Sequence, residues 1–323
     1  MGRHNLGNPE SAGQETLGLR VRRVTIPSGE IAFVDEGEGP PVLLLHGAPI
    51  TSLGFVRVIR GLCGQHRVIA PDLPGFGQSL PGAEFRGSLR EYAASVVEFC
   101  RTLGLERVVM FGGDAGACIG LAAAATMPSS IAGLVVADTV PIPLNGRAWL
   151  VKMILKHVVT SLPARVLNRR LNLLPWLVAT VDPIRRPFSA HERAVLINQY
   201  DSYDDRDRVL DLFSAMARDD AFMRDTAAVV AERLADTPTL LLFGQFDPMR
   251  LAGSISRFQQ VFRHSTVAII RHEKHFPILA AGDEVATMIS EWVRTRTMFH
   301  EAQRLAGAPP TPGDRPASGF SRA

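Results

Sequence analysis

One stretch of the sequence decides the fold, and it reads Phe111-Gly112-Gly113-Asp114-Ala115-Gly116-Ala117. It has the form Gly-x-nucleophile-x-Gly, after the apolar run at 107–111 and before a series of small residues. This pattern is typical of a sharp strand-to-helix turn, where side chains two residues from the nucleophile would collide. We therefore predict a strand that ends at residue 111, and a helix that begins at residue 115 with Asp114 exposed on the turn between them.

An aspartate at this turn restricts the chemistry. A carboxylate that attacks an ordinary ester would form an anhydride, which is much less stable than the ester formed by a serine. A carboxylate can instead displace a leaving group from a saturated carbon and form a covalent ester. No Gly-x-Ser-x-Gly motif occurs anywhere in the chain. The residue type therefore favours attack at saturated carbon.

Strand and helix patterns alternate on both sides of the turn. Short apolar runs indicate buried strands, period-2 alternation indicates an edge hairpin, and longer stretches indicate helices. The predicted strands are 21–26, 31–34, 41–45, 67–70, 107–111, 131–137, 239–243 and 266–270, and the predicted helices are 53–63, 89–103, 115–126, 251–262 and 282–297. This alternation predicts an α/β fold with a mostly parallel, doubly wound sheet.

The alternation stops after the sixth of these strands and resumes at residue 239. Between them lie helical, charge-rich segments that hold no clear buried strand. We predict a helical cap inserted into the core. The predicted organisation is a disordered tail at 1–19, a core at 20–140 plus 236–300, a cap at 141–235 and a flexible tail at 301–323.

Composition excludes several classes of protein. The chain has 323 residues, 46% of them hydrophobic, and a formal net charge of +3. No Lys/Arg run is interleaved with aromatic residues, so nucleic acid is not an expected partner. Cys63, Cys100 and Cys118 fit reduced thiols, which suggests the cytoplasm. We expect no membrane span, no metal and no cofactor, and the oligomeric state stays open.

Four candidate site segments follow predicted strands. They are His46-Gly47-Ala48-Pro49, the turn at Asp114, the segment 244–248 with Asp247, and the segment 272–277 with His275. Ligands bind at the carboxyl ends of parallel strands, so these segments should lie together. The backbone amides of Ala48 and Ala115 would then form an oxyanion hole.

Taken together, these motifs resemble the α/β-hydrolase family over about residues 20–300. The nucleophile, acid and histidine stand in the family's order, residues 72–79 are similar to its Asp-x-Pro-Gly-x-Gly-x-Ser loop, and His275 begins a His-Phe-Pro. An aspartate at the turn is similar to the epoxide hydrolases and to the haloalkane and haloacid dehalogenases. The resemblance implies that Asp114 forms an alkyl-enzyme ester and that His275, oriented by Asp247, activates the water that cleaves it.

Two further polar residues, Asp138 and His46, lie at the ends of predicted strands. Asp138 ends the strand before the insertion and is the alternative to Asp247 as the acid that orients the histidine. His46 is expected to be a structural residue that supports its own loop.

The leaving group separates the possible reactions. Halide-releasing relatives generally carry Trp directly after the nucleophile and often Asn after His-Gly, whereas Ala115 and Ala48 stand here. Trp176 in the predicted cap is a possible replacement donor. Relatives that act on fluoroacetate carry arginine after the nucleophile, which alanine cannot replace. These positions disfavour a dehalogenase.

Tyrosines in the predicted cap favour an epoxide. Related epoxide hydrolases protonate the ring oxygen with two cap tyrosines, and Tyr200 and Tyr203 lie in the insertion, although Phe213 stands where a second tyrosine is expected. The leading expectation is therefore an epoxide hydrolase acting on a small hydrophobic substrate. The alternatives are a haloalkane or haloacid dehalogenase, and a non-hydrolytic acid/base enzyme or ligand-binding member of the fold.

Overall fold

A ten-stranded sheet forms the centre of the protein. The computed structural model describes residues 15–140, 148–181 and 188–305. The strands are β1 (Glu15–Thr16), β2 (Leu19–Ile26), β3 (Gly29–Glu36), β4 (Pro41–Leu45), β5 (Arg67–Pro71), β6 (Leu80–Pro81), β7 (Val108–Gly113), β8 (Ile131–Ala137), β9 (Thr239–Gly244) and β10 (Ser265–Ile270). Their order is β1-β2-β3-β5-β4-β7-β8-β9-β10, and β6 pairs with β3.

Strand direction follows the predicted alternation. From β5 to β10 every neighbouring pair is parallel, while β2, β3 and β5 pair in antiparallel fashion. The central strands β4, β7 and β9 are almost continuously apolar and buried, as strands covered on both faces must be. The predicted mostly parallel sheet is confirmed.

The helices of the described residues lie on the two faces of this sheet or in the segment between β8 and β9. They are α1 (Val56–Leu62), α2 (Leu89–Thr102), α3 (Ala115–Thr126), α4 (Ala148–Ile154), α5 (Leu162–Leu171), α6 (Leu173–Val181), α7 (Ala190–Asn198), α8 (Tyr203–Arg218), α9 (Asp220–Arg233), α10 (Pro248–Leu251), α11 (Ser254–Val261), α12 (Pro277–Ala280) and α13 (Gly282–Leu305). Helices α2, α3 and α9 contribute to one apolar cluster, and α1 and α13 to a second. Two separate cores are what a doubly wound sheet requires.

Helices α4–α9 form an insertion between β8 and β9. When the two-residue strands β1 and β6 are left out, β8 is the sixth strand, where the insertion was predicted. Helix α9 packs on α3, and α8 contacts both α2 and α3. The insertion therefore rests on the core at the helix that follows Asp114.

The ordered structure extends further at both ends than the sequence predicts. Strand β1 pairs with β2 through a tight turn at Leu17 and Gly18, where φ is 53° and 70°, and this turn lies within the predicted tail 1–19. Helix α13 continues to Leu305 because no Gly or Pro interrupts it after Gly282. Residues 1–14 and 306–323, which hold the rest of the predicted tails, lie outside the described residues.

Within the described part of the chain, no helix combines the length and the apolar character that crossing a membrane requires. The three cysteines are free thiols, and burial raises the pKa of Cys100 and of Cys118 to about 12. In that part of the chain no group of three or more His, Cys, Asp or Glu residues is arranged to hold a metal ion.

Candidate active site

Asp114 lies on a strained turn between β7 and α3. Its φ of 50° and ψ of −123° are unusual for a residue with a side chain. The turn brings the backbone before and after Asp114 so close that a Cβ on Gly112 would lie 2.5 Å from Ala117 Cα, and one on Gly116 would lie 2.4 Å from the His46 carbonyl oxygen. The glycines of the motif are therefore needed for close backbone packing.

This close packing predicts a stability effect. Gly112→Ala should lower the free energy of unfolding by about 2–3 kcal/mol, because the new methyl group meets backbone atoms that cannot move independently. Gly64→Ala is the matched control, since a Cβ there has no atom within 4 Å. Denaturant unfolding of both variants measures the difference. Equal stability of the two would contradict this account of the turn.

The carboxylate of Asp114 is held by the loop after β4. The backbone N–H of Ala48 donates to Asp114 Oδ2 at 3.1 Å. Gly47 permits this contact, because a Cβ at that position would lie 2.4 Å from the same oxygen. Ala115 is the first residue of α3, so its N–H belongs to the first turn, whose amides have no partner within the helix. The Ala48 amide thus contacts the carboxylate, and the Ala115 amide lies next to Asp114 in the chain, at the start of α3.

His275 lies between two carboxylates. Its Nδ1 is 2.9 Å from Asp247 Oδ1, and its Nε2 is 3.8 Å from Asp114 Oδ1. The Asp247 side chain is fully buried, whereas that of His275 is 21% exposed. The backbone N–H of Met249 also donates to Asp247 Oδ1, which fixes the carboxylate at the start of α10. The predicted site residues after β7, β9 and β10 therefore meet at one place.

These two carboxylates control the charge of His275. Burial alone would lower the pKa of the imidazole, but the negative charges of Asp114 and Asp247, together with the hydrogen bond to Asp247, outweigh it and raise the pKa well above its ordinary value. Converting Asp114 to an uncharged ester would remove one of the two attractions. The pKa of His275 would then fall, which would free its Nε2 to accept a proton.

This arrangement predicts a measurable titration. We expect an NMR titration to give His275 a pKa above 6.5, and Asp247→Asn to lower it. Because the folded-state pKa is raised, protonated His275 stabilises the fold fully below about pH 6.5, and this contribution is lost as the pH rises through the raised pKa. A pKa below 6.5 in the free protein would contradict the ion-pair arrangement.

Asp138 occupies a different position from Asp247. Its Oδ1 accepts a hydrogen bond from the backbone N–H of Gly244 at 2.9 Å, which links the ends of β8 and β9. The carboxylate that contacts His275 is that of Asp247. The geometry therefore favours Asp247 for the orienting role.

His46 is a structural residue, as its position in the sequence suggested. It is fully buried, its Nδ1 lies 2.9 Å from the Gly47 carbonyl oxygen, and its Nε2 accepts the backbone N–H of Leu73 at 2.9 Å. Burial lowers its pKa, although Asp72 and Asp114 oppose the effect. A neutral ring with its proton on Nδ1 satisfies both contacts and holds the loop that carries Ala48.

The two tyrosines of the insertion do not form a pair over Asp114. Tyr203 is 58% exposed, and its ring is covered by the guanidinium groups of Arg169 and Arg206. Its exposed position as the first residue of α8 gives no support to the predicted role in substrate activation. Tyr200 is buried, and burial followed by the charges of Asp72 and Asp205 raises its pKa well above 10.

Trp176 does not provide a buried donor either. It lies in α6, and about half of its side chain is exposed. Ala48 and Ala115 carry no side-chain donor for a halide. Trp176, the predicted replacement donor, is not enclosed in the protein.

One residue that supports the site is not evident from the motifs. Thr139 Oγ1 donates to the backbone carbonyl of Asp114 at 2.8 Å and so stabilises the strained turn from the next strand. Its signal in the sequence is weak, since it is only a polar residue just after the end of β8.

Comparisons with known proteins identify the family to which this fold belongs. Residues 40–281 match the family described as alpha/beta hydrolase fold. Haloalkane dehalogenase 2 of Mycobacterium tuberculosis (strain ATCC 25618 / H37Rv) is 31% identical over 267 residues, which cover 81% of this chain and 91% of that protein. The cis-3-alkyl-4-alkyloxetan-2-one decarboxylase of Shewanella oneidensis is 24% identical over 280 residues, 82% of this chain and 85% of that one.

A solved structure shows the same fold. The haloalkane dehalogenase DbeA from Bradyrhizobium elkani aligns with a TM-score of 0.73 over 87% of this chain and 99% of its own length, at 19% identity. The chain belongs to the α/β-hydrolase family and is a hydrolase related to the haloalkane dehalogenases.

Proposed function

We propose that the protein is a hydrolase in which Asp114 attacks a saturated carbon and forms a covalent ester. The observation that carries this proposal is the position of His275 between Asp247 and Asp114, with the Ala48 amide on the second oxygen of Asp114. In this arrangement the carboxylate can act as the nucleophile and can then be regenerated.

In the first step, an oxygen of Asp114 forms a bond to carbon as the leaving group departs with its bonding electrons. In the second step, His275 Nε2 takes a proton from water, and the resulting hydroxide attacks the acyl carbon of Asp114. The amides of Ala48 and Ala115 stabilise the oxyanion of the tetrahedral intermediate. When this intermediate collapses, the bond between the acyl carbon and the alkyl oxygen breaks, and that oxygen takes a proton from protonated His275 and leaves as the alcohol. The proton that remains on the carboxyl group passes to solvent, which restores the carboxylate, and Asp247 holds the imidazole in position throughout.

The leaving group that we propose is a halide. The support comes from relatives named as haloalkane dehalogenases that match most of the chain, and from the loss of the tyrosine pair that favoured an epoxide. Ala48 and Ala115 have no side-chain donors for a departing anion. We therefore expect a steep preference for better leaving groups, with iodide and bromide released faster than chloride.

Epoxide opening is the second candidate, and one observation favours it. The hydroxyl of Tyr200 is buried without a hydrogen-bond partner in the described structure, so it retains a proton that it can donate.

We further propose that the insertion is a cap over the site. Thr51 Oγ1 donates to Gln199 in the insertion, and Arg57 forms an ion pair with Glu192 at 3.7 Å. Thr51 and Arg57 both follow in sequence the loop after β4, whose Ala48 N–H contacts Asp114. A cap attached there would exclude water and enclose a small hydrophobic substrate.

A substrate panel tests the proposed reaction. Purified protein is incubated with iodo-, bromo- and chloroalkanes, a terminal epoxide and a cis-3,4-dialkyl oxetan-2-one, while halide, diol and alkene are measured. We expect halide release, fastest from the iodide. Diol formation without halide release would establish the epoxide reaction instead. Alkene formation from the oxetanone alone would support a non-hydrolytic role, such as that named for the Shewanella relative.

A further inference from the structure

The segment 148–181 of the insertion has an unusually apolar outer surface. It provides ten of the fifteen large hydrophobic side chains that are exposed among the described residues. In α4 and the π-helical turn Leu155–Val159 that follows it, Leu150, Ile154 and Val158 are spaced four residues apart and so lie along one face. Single exposed leucines are ordinary, but a continuous series of them is not.

Helix α5 continues this surface. Its inner side packs on α8, where Asn168 donates to the Arg206 carbonyl oxygen and Arg165 pairs with Asp211. Leu162, which is 74% exposed, and Leu171 lie away from those contacts. Together with Trp149 and Trp176, these side chains form the outer face of residues 148–181.

The charges of this segment are all positive. Residues 148–181 contain no Asp or Glu, and their charged residues are Lys152, Lys156, Arg165, Arg169 and Arg170. Three of these pair with carboxylates of α8 and α9, namely Lys152 with Asp220, Arg165 with Asp211 and Arg169 with Asp207. Arg170 is exposed beside Leu171, so the outer face combines apolar residues with positive charge.

We propose that the outer face of residues 148–181 binds an anionic lipid surface. Exposed tryptophan and leucine side chains with Lys and Arg and without acidic residues are the features of helices that lie at the headgroup level of a membrane. Helices α4, α5 and α6 have only 7 to 10 residues each, so the segment lies on the bilayer and does not cross it.

Charge favours an anionic lipid surface over a second copy of the chain as the partner of this face. A two-fold symmetric interface places the same surface of each copy against the other. Three of the five cations are already paired with carboxylates of α8 and α9, but two copies of this face would still bring together the exposed Arg170 side chains with no carboxylate of residues 148–181 to neutralise them. An anionic bilayer provides the opposite charge and also an apolar phase for the leucine and tryptophan side chains.

Flotation of the full chain with lipid vesicles tests the proposal. We expect binding to vesicles of phosphatidylcholine with about one third phosphatidylglycerol, weaker binding to phosphatidylcholine alone, and loss of affinity with added salt. The double variant Leu162→Glu/Leu171→Glu should bind at least about tenfold more weakly. The matched control is Leu80→Glu, which changes a leucine that is 60% exposed on β6 and should bind like the wild type.

Tryptophan fluorescence gives a second measurement. Trp149 and Trp176 are exposed whereas Trp292 is buried, so vesicle binding should shift the emission to shorter wavelength. Equal vesicle binding by the double variant and the wild type, or no binding to anionic vesicles at low salt, would overturn the proposal. Concentration-dependent dimers that the double variant abolishes would also overturn it and would assign the face to a second copy.

Discussion

Asp114→Asn is expected to lower turnover by about 10⁴-fold or more, because an amide is not a nucleophile for saturated carbon. The fold should be retained, since the amide oxygen can still accept the N–H of Ala48 that the carboxylate accepts at 3.1 Å. Removal of the negative charge should also lower the pKa of His275. Steady-state product formation measures the first effect, and NMR titration measures the second.

The matched control for this variant is Asp138→Asn. Asp138 is a carboxylate at the end of the neighbouring strand, and an amide oxygen can replace its contact with Gly244. We expect its activity to stay within about tenfold of the wild type, because the carboxylate that hydrogen-bonds His275 is that of Asp247. If Asp114→Asn turns over substrate at a rate similar to that of Asp138→Asn, with the substitution verified by protein mass, then Asp114 is not the nucleophile.

His275→Gln is expected to stop the reaction after the first step. The attack of Asp114 needs no base, so one equivalent of leaving group per protein should appear rapidly. Further turnover should fall by about 10²–10⁴-fold, because glutamine cannot take the proton from water. Mass spectrometry of the intact protein should show the added alkyl group, and digestion should place it on the peptide that contains Asp114.

The double variant Asp114→Asn/His275→Gln is the control for this trapping experiment. It should release no burst of leaving group and carry no adduct, since it lacks the nucleophile. If His275→Gln shows neither a burst nor an adduct while substrate still binds, then His275 is needed before the ester forms. The two-step assignment of roles would then be contradicted.

Much of the fold and of the site follows from local sequence. The strand, turn and helix at Asp114 could be predicted because the glycines and the apolar run act within a few residues. Ala48, Asp247 and His275 could be placed near it because all follow strands of one parallel sheet, whose carboxyl ends share an edge. Predictions of this kind need only the order of the strands along the chain.

The acid that orients His275 could not be settled in the same way. Asp138 directly follows β8, and the hydrogen bond that it accepts from Gly244 keeps it at the strand ends. Asp247 is carried beyond β9 by two further residues, Gln245 and Phe246. Only the path of that loop in three dimensions decides which carboxylate reaches the imidazole.

A helix begins between the two cap tyrosines, and the resemblance to the epoxide hydrolases does not indicate this. That resemblance predicts a shared role for Tyr200 and Tyr203. Ser202 instead caps α8, accepting the Asp205 N–H at 3.1 Å while the Asp205 carboxylate accepts from Ser202. This capping box puts Tyr203 in the first turn and leaves Tyr200 in the preceding turn, so their side chains diverge.

Oxygen labelling tests the covalent role of Asp114 most directly. The protein, in excess over substrate, is allowed one turnover in heavy-oxygen water, and the alcohol and the digested peptides are then analysed by mass spectrometry. The proposed mechanism predicts an unlabelled alcohol, whose oxygen comes from Asp114, and heavy oxygen in the peptide that contains Asp114. Heavy oxygen in the alcohol of this first turnover, with Asp114 unlabelled, would show direct attack by water and contradict the account.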